Sequence, residues 1–192
     1  ISLGISTKSE LTIKNWPLDF LELELEKLSV MGQKIEFKNR HLSKNGHFSI
    51  VDIVIKLSSL TALPDKIHAM PFPGINIDNI PFFVPIATQA KGRTLIHDWM
   101  YENRATQYLP FAKLGAKLDL LDPHRIFIEG PCKLKSRNLV APNGIRPAMA
   151  LCIGMLAAGG TSTLENIHYI ERGYEDLPQR LQSIGARIEY MA

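Results

Sequence analysis

One segment recurs three times along this chain, and that repetition restricts the fold more than any other feature. Ser9-Glu10-Leu11-Thr12-Ile13-Lys14-Asn15 leads to Met31-Gly32-Gln33-Lys34-Ile35-Glu36. Gly92-Arg93-Thr94-Leu95-Ile96-His97-Asp98 leads to Leu114-Gly115-Ala116-Lys117-Leu118-Asp119, and Gly160-Thr161-Ser162-Thr163-Leu164-Glu165-Asn166 leads to Ile184-Gly185-Ala186-Arg187-Ile188-Glu189. Each copy predicts strand, helix, strand. Apolar residues one and two turns before the glycine (Leu28 and Leu25, Phe111 and Tyr108, Leu181 and Leu177) share one helical face. The glycine then serves as a C-terminal cap, where φ > 0 is needed. Apolar and polar residues alternate after it, as in Lys34-Ile35-Glu36-Phe37 and Arg187-Ile188-Glu189-Tyr190, which suits a half-buried strand.

A second helix is expected before each copy. The stretches Ile77–Thr88 and Ile145–Ala158 are apolar almost all round, so both should be buried. Each carries proline near its start, where proline is tolerated. Asp78 lies 14 residues before Gly92 (92 − 78) and Arg146 lies 14 before Gly160 (160 − 146), so the two occupy equivalent first-turn positions. Ile1–Lys8 reads as the tail of a third such helix, which makes the chain a piece of something longer. The expected fold is α/β: one domain over residues 1–192, with three β-α-β units (roughly 1–73, 74–140 and 141–192) about a pseudo-threefold axis. The buried helices run parallel inside, an inside-out α/β barrel. Residues 38–72 fit the repeat poorly, although Val51, Ile53 and Ile55 alternate like a strand.

The chain's 192 residues, 45% of them hydrophobic and 21% charged, suffice for one domain with a real core. A net charge of +3 without a Lys/Arg-rich run argues against a nucleic-acid binder. No apolar stretch is long enough to span a membrane, and no signal peptide is visible. The only cysteines, Cys132 and Cys152, form neither a CxxC motif nor a disulfide framework, which points to the reducing cytoplasm. The six histidines show no metal-ligand spacing; His68, near the Asp78 loop, is the one of interest.

The repeat aims arginines from matching loops. Arg104 follows Asp98 by six residues and Arg172 follows Asn166 by six. Helix N-termini carry partial positive charge and free N–H groups. With Asp78 and Arg146 at that end and Arg104 and Arg172 beside it, the expected ligand carries phosphate or carboxylate. Asp78 is the one candidate base among these residues. Simpler roles compete: ion pairs of Arg104 and Arg172 with Glu102, Glu171 or Glu175, a dipole-stabilising acid at Asp78, and an Arg146 that does no more than hold a neighbouring loop.

At Tyr101-Glu102-Asn103-Arg104, Gly144-Ile145-Arg146 and Tyr169-Ile170-Glu171-Arg172-Gly173-Tyr174-Glu175 the chain resembles the enolpyruvyl transferases, on the branch whose acceptor is UDP-N-acetylglucosamine. The resemblance covers nearly the whole chain and corresponds to the C-terminal of two similar domains that close on a cleft. It implies transfer of the enolpyruvyl group from phosphoenolpyruvate to the 3-hydroxyl of the UDP-sugar with release of phosphate, in cytoplasmic peptidoglycan precursor synthesis, without a cofactor. By the same resemblance Asp78 is the catalytic acid–base residue, a backbone group of Met100 meets the nucleotide-sugar, and Arg172 engages phosphoenolpyruvate. Arg104 and Arg146 line the same cleft. The implied partner is the N-terminal domain of the same protein, and this chain alone is expected to be inactive. Two departures stand out. Asn76-Ile77 replaces the usual Pro-Thr before the aspartate, and Gly144 replaces the acid of Asp-Leu-Arg. They leave open an enolpyruvyl transferase with another acceptor, and the missing half leaves open a non-catalytic domain that binds nucleotide-sugar or a partner.

Overall fold

The first copy of the repeat opens with the short helix α1 (Ser2–Ser6), then strand β1 (Leu11–Pro17), a 3-10 turn at Leu18–Phe20 and helix α2 (Glu22–Val30). Strands β2 (Ile35–Leu42) and β3 (Ser49–Ile55) complete it. In this computed structural model, which describes residues 1–191, β3 lies between its neighbours in an antiparallel sheet of order β1-β3-β2. The alternation of Val51, Ile53 and Ile55 buries one face of β3, as period-2 patterning requires. Both edge strands slip register opposite the middle of β3, between Ile13 and Trp16 and between Lys38 and His41. Asp52 of β3 holds both irregularities: Oδ1 accepts from the Asn15 amide at 2.9 Å and Oδ2 from Asn39 Nδ2 at 2.8 Å. Those asparagines adopt left-handed φ of 56° and 52°, a conformation asparagine tolerates.

The second copy follows strand β4 (Ile67–His68) and a 3-10 turn at Ile77–Asn79. It comprises helix α3 (Ile80–Ala87), strand β5 (Gly92–His97), a 3-10 stretch at Arg104–Tyr108, helix α4 (Pro110–Lys113) and strands β6 (Lys117–Asp122) and β7 (Arg125–Gly130). The sheet order is β4-β5-β7-β6, parallel between β4 and β5 and antiparallel elsewhere. The expected single helix before Gly115 is divided, because Pro110 has no N–H to continue a ladder from the preceding 3-10 turn and instead starts α4.

The third copy has strand β8 (Asn138–Val140), helix α5 (Ile145–Ala157), strand β9 (Thr163–Glu165) and helices α6 (His168–Glu171) and α7 (Leu177–Ser183). Strands β8 and β9 pair in parallel. The strand expected at Arg187–Tyr190 does not form among the described residues. Its counterparts β2 and β6 each pair with the strand that follows them, β3 and β7, and among the described residues Arg187–Tyr190 has no such pairing partner. The three cap glycines match in conformation, with φ of 91° at Gly32, 95° at Gly115 and 97° at Gly185.

Helices α1, α3 and α5 each pack against the other two. A 2.7 Å bond from Ser2 Oγ to the Phe82 carbonyl ties α1 to α3. Alanine, methionine and leucine dominate α5 and favour helix, and every residue from Pro147 to Met155 is buried. Gly154 is the exception to that propensity. A Cβ there would stand 2.5 Å from Phe111 Cε1, so the glycine lets α4 close on α5. Gly154→Ala is therefore expected to destabilise the chain by about 1–3 kcal/mol through overpacking, although alanine is intrinsically the better helix former by about 1 kcal/mol. The urea midpoint is the measurement, and an increase would show that the approach is not tight.

Candidate active site

Three loops converge on the start of α5. The first carries Asp78. In its 3-10 turn the Asn76 side chain caps the helix start, its Oδ1 accepting from the Asp78 amide at 2.9 Å. Arg146 Nη2 donates to Asp78 Oδ2 at 3.2 Å, joining the two residues that the repeat makes equivalent. The pair is half open, with side chains 32% (Arg146) and 44% (Asp78) exposed. Such a pair contributes only about 0–1 kcal/mol, so an incoming anion can take Arg146 from Asp78 at little cost. The Asp78 carboxylate thus faces a cation of α5 as well as the helix start.

The second loop bears Arg172. Gly173 rests directly on the start of α5: a Cβ there would meet Ile145 Cγ2 at 2.5 Å and Arg146 Nη1 at 3.5 Å. Glycine is thus what lets the Glu171-Arg172-Gly173 turn reach Arg146. Arg172 itself is exposed. Burial raises the Tyr174 hydroxyl above its ordinary range, while the nearby Arg146 charge lowers it and Asp78 raises it.

The third loop runs from Asp98 to Tyr108. The Arg104 guanidinium lies 4.1 Å over the Tyr101 ring, a cation–π contact rather than the competing ion pair with Glu102. Its Nε is buried without a partner. Asp98 is fully buried, and its Oδ2 accepts a short bond from the Tyr108 hydroxyl. Burial raises the Asp98 carboxyl above the usual range, partly offset by the Tyr108 bond and the charges of Arg104 and His124; Asp78 adds to the rise. The counterparts of Asp98 in the other copies, Asn15 and Asn166, are exposed and left-handed (φ 56° and 58°), so the repeat is broken in the loop that carries Arg104. Met100 is exposed in the same loop. Beside it the Trp99 indole donates to the Ala69 carbonyl at 2.9 Å, in keeping with a packing role. Gln107 meets the start of α5, and its buried Oε1 has no partner. A Cβ on residue 144 would come within 2.8 Å of that oxygen, so Gln107 takes up space next to Gly144 that a larger residue would need.

Two further residues belong to this region. Glu24 of α2, 7% exposed, accepts at Oε1 from the Asn76 amide (3.1 Å) and from Asn79 Nδ2 (2.9 Å), on either side of Asp78. Its sequence signal is its spacing: Glu24 stands one helical turn before buried Leu28 and so lies on the inward face. Asp98 is likewise in step with buried Thr94 and Ile96 on β5. His68 sits opposite His97 in the β4–β5 register, and its buried Nδ1 has no partner. Among the described residues, no cluster of three or more His, Cys, Asp or Glu side chains could hold a metal ion. No described helix is long and apolar enough to cross a membrane.

A carboxylate ion-paired to an arginine thus stands at the start of α5, and the loops that carry Arg104 and Arg172 meet the same helix start. A family model, EPSP synthase (3-phosphoshikimate 1-carboxyvinyltransferase), matches residues 1–181, and the chain belongs to that family. It is 36% identical over 193 aligned positions to the UDP-N-acetylglucosamine 1-carboxyvinyltransferase of Bacteroides thetaiotaomicron, across 98% of this chain and 43% of that protein. It is 43% identical over 124 positions to the Treponema denticola protein of the same name, across 65% of this chain and 29% of the relative. Among solved structures, the enolpyruvyl transferase NikO from Streptomyces tendae superposes with a TM-score of 0.79 at 24% identity, covering 98% of this chain and 42% of that one. EPSP synthase from Acinetobacter baumannii gives 0.73 at 18%, covering 98% and 45%. These two likenesses establish the fold. The chain spans less than half the length of these relatives.

Neither cysteine adjoins the Asp78–Arg146 pair in sequence, and the two differ in environment. Burial pushes the Cys152 thiol up to about 11, whereas Cys132 is only partly covered and its Sγ bonds the Glu129 carbonyl at 2.9 Å. A thiol reagent at neutral pH is expected to label Cys132 alone, with Cys152 reacting only after denaturation. Two rapidly labelled thiols in the native protein would contradict this burial.

Proposed function

We propose that this chain is the C-terminal half of an enolpyruvyl transferase that uses phosphoenolpyruvate and UDP-N-acetylglucosamine, in cytoplasmic peptidoglycan precursor synthesis. The observation that carries the reading is the half-exposed Asp78–Arg146 pair at the start of α5, where the Arg104 and Arg172 loops meet. The sugar 3-hydroxyl adds to the substituted carbon of the enol phosphate while a proton adds to its methylene. Loss of phosphate and of a proton then restores the double bond. Asp78 accepts the hydroxyl proton. Arg146, Arg104 and Arg172 hold the carboxylate and phosphate, whose charge shifts between addition and elimination. A backbone group of Met100 meets the nucleotide-sugar. No cofactor enters this chemistry.

The finer architecture belongs to the same proposal. Units 1–73, 74–140 and 141–192 surround α1, α3 and α5 as an inside-out α/β barrel with a pseudo-threefold axis, and the mutual packing of those helices supports it. The N-terminal domain of the same protein closes the cleft. Phosphate release from phosphoenolpyruvate by the full-length product is expected to depend on UDP-N-acetylglucosamine. Asp78→Ala and Arg172→Ala should each lower it by about a hundredfold or more. The isolated chain is expected to release none, and turnover by it would overturn the half-cleft reading. A different acceptor is the second reading, favoured by the Gln107 oxygen standing against Gly144. Release that requires another sugar would select it.

A further inference from the structure

Glu24 is a buried carboxylate whose Oε1 accepts two hydrogen bonds, both from uncharged donors, the Asn76 amide and Asn79 Nδ2. Burying a carboxylate is costly unless its oxygens are satisfied, and charge-assisted bonds of this kind are the strong ones. The two donors bracket Asp78 in sequence, and the acceptor arrives from α2, in a different copy of the repeat. Asn76 contributes twice: its N–H goes to Glu24 and its side-chain Oδ1 receives the Asp78 amide. A proline at position 76 has no N–H and could not make the first bond. The departure at Asn76 and the inward-facing glutamate are thus two halves of one contact.

We propose that Glu24 is a positioning residue for Asp78: its carboxylate pins both flanks of the turn and so fixes the Asp78 side chain against Arg146 at the start of α5. This rests on the reading of Asp78 as the residue that accepts the hydroxyl proton. Glu24 lies behind the turn and acts through it. Its loss should therefore affect the chemical step and leave the arginine-held anion in place.

The test uses the full-length product and three variants. Glu24→Leu keeps the size of the side chain and removes both acceptor oxygens. It is expected to lower kcat for phosphate release by about tenfold to a hundredfold, with KM for phosphoenolpyruvate within about twofold of the parent. Glu24→Gln keeps an acceptor oxygen and is expected to recover most of the rate. Asn79→Leu removes one of the two donors and should give a weaker loss of the same kind, which serves if Glu24→Leu fails to fold. An unchanged kcat in folded Glu24→Leu, a loss carried by KM alone, or a Glu24→Gln rate as low as that of Glu24→Leu overturns the proposal. If the parent shows no sugar-dependent release, the functional reading has failed, and hydrogen exchange decides the positioning claim. The Asn76 amide must exchange slowly in the parent and in Glu24→Gln and fast in Glu24→Leu. Fast exchange in the parent overturns it.

Discussion

The close seating of helix α5 against its neighbours is the constraint from which the rest of the structure follows. Its thirteen residues touch α1 and α3 on the inside, α4 through the gap left at Gly154, and α6 near its start. Because interiors pack at crystal-like density, each contact fixes the next. Phe111 fills the space that a Cβ on residue 154 would take, and Ile145 fills the space that a Cβ on residue 173 would take. These two glycines set how near the second and third copies of the repeat come to the same helix, and hence how near their arginine loops come to one another.

The site uses that proximity. Arg146 is part of α5 itself, Arg172 is carried by the turn that Gly173 seats, and Arg104 stands on the stretch whose Gln107 reaches Gly144. Asp78 comes from the remaining side and is braced from behind by Glu24. The polar groups here are unevenly satisfied: Glu24 Oε1 takes two hydrogen bonds, whereas Arg104 Nε, Gln107 Oε1 and one oxygen of Asp98 are buried without partners. Unpaired buried polar atoms cost about 1–3 kcal/mol each, and their concentration in the loop between β5 and α4 sets that loop apart from its counterparts.

Much of this was legible from residues alone, for specific reasons. Helices α3 and α5 announced themselves as apolar runs with proline near the start, and the cap glycines by their place after the last buried leucine or phenylalanine. Equal offsets within the repeat gave Asp78 and Arg146 equivalent positions at the starts of their helices, but not the bond between them. The extra strands of the first two sheets were partly hidden, since the alternation in β3 is clear but β7 follows a turn that the repeat does not contain. Arg187–Tyr190 shows the limit of pattern: its alternation matches that of β2 and β6, yet alternation supplies a face and not a partner, and a strand needs both. The bond between Glu24 and Asn76 spans 52 residues and obeys no period, so only the folded chain brings it into view.

The ion pair at the mouth of α5 has one more consequence. Asp78 and Arg146 neutralise each other, so the cleft at rest offers little net attraction from its most central cation. An arriving anion must compete for Arg146, and success leaves Asp78 without its counter-charge. On the proposed function, the order of binding is thereby coupled to the surroundings of the residue that accepts the hydroxyl proton.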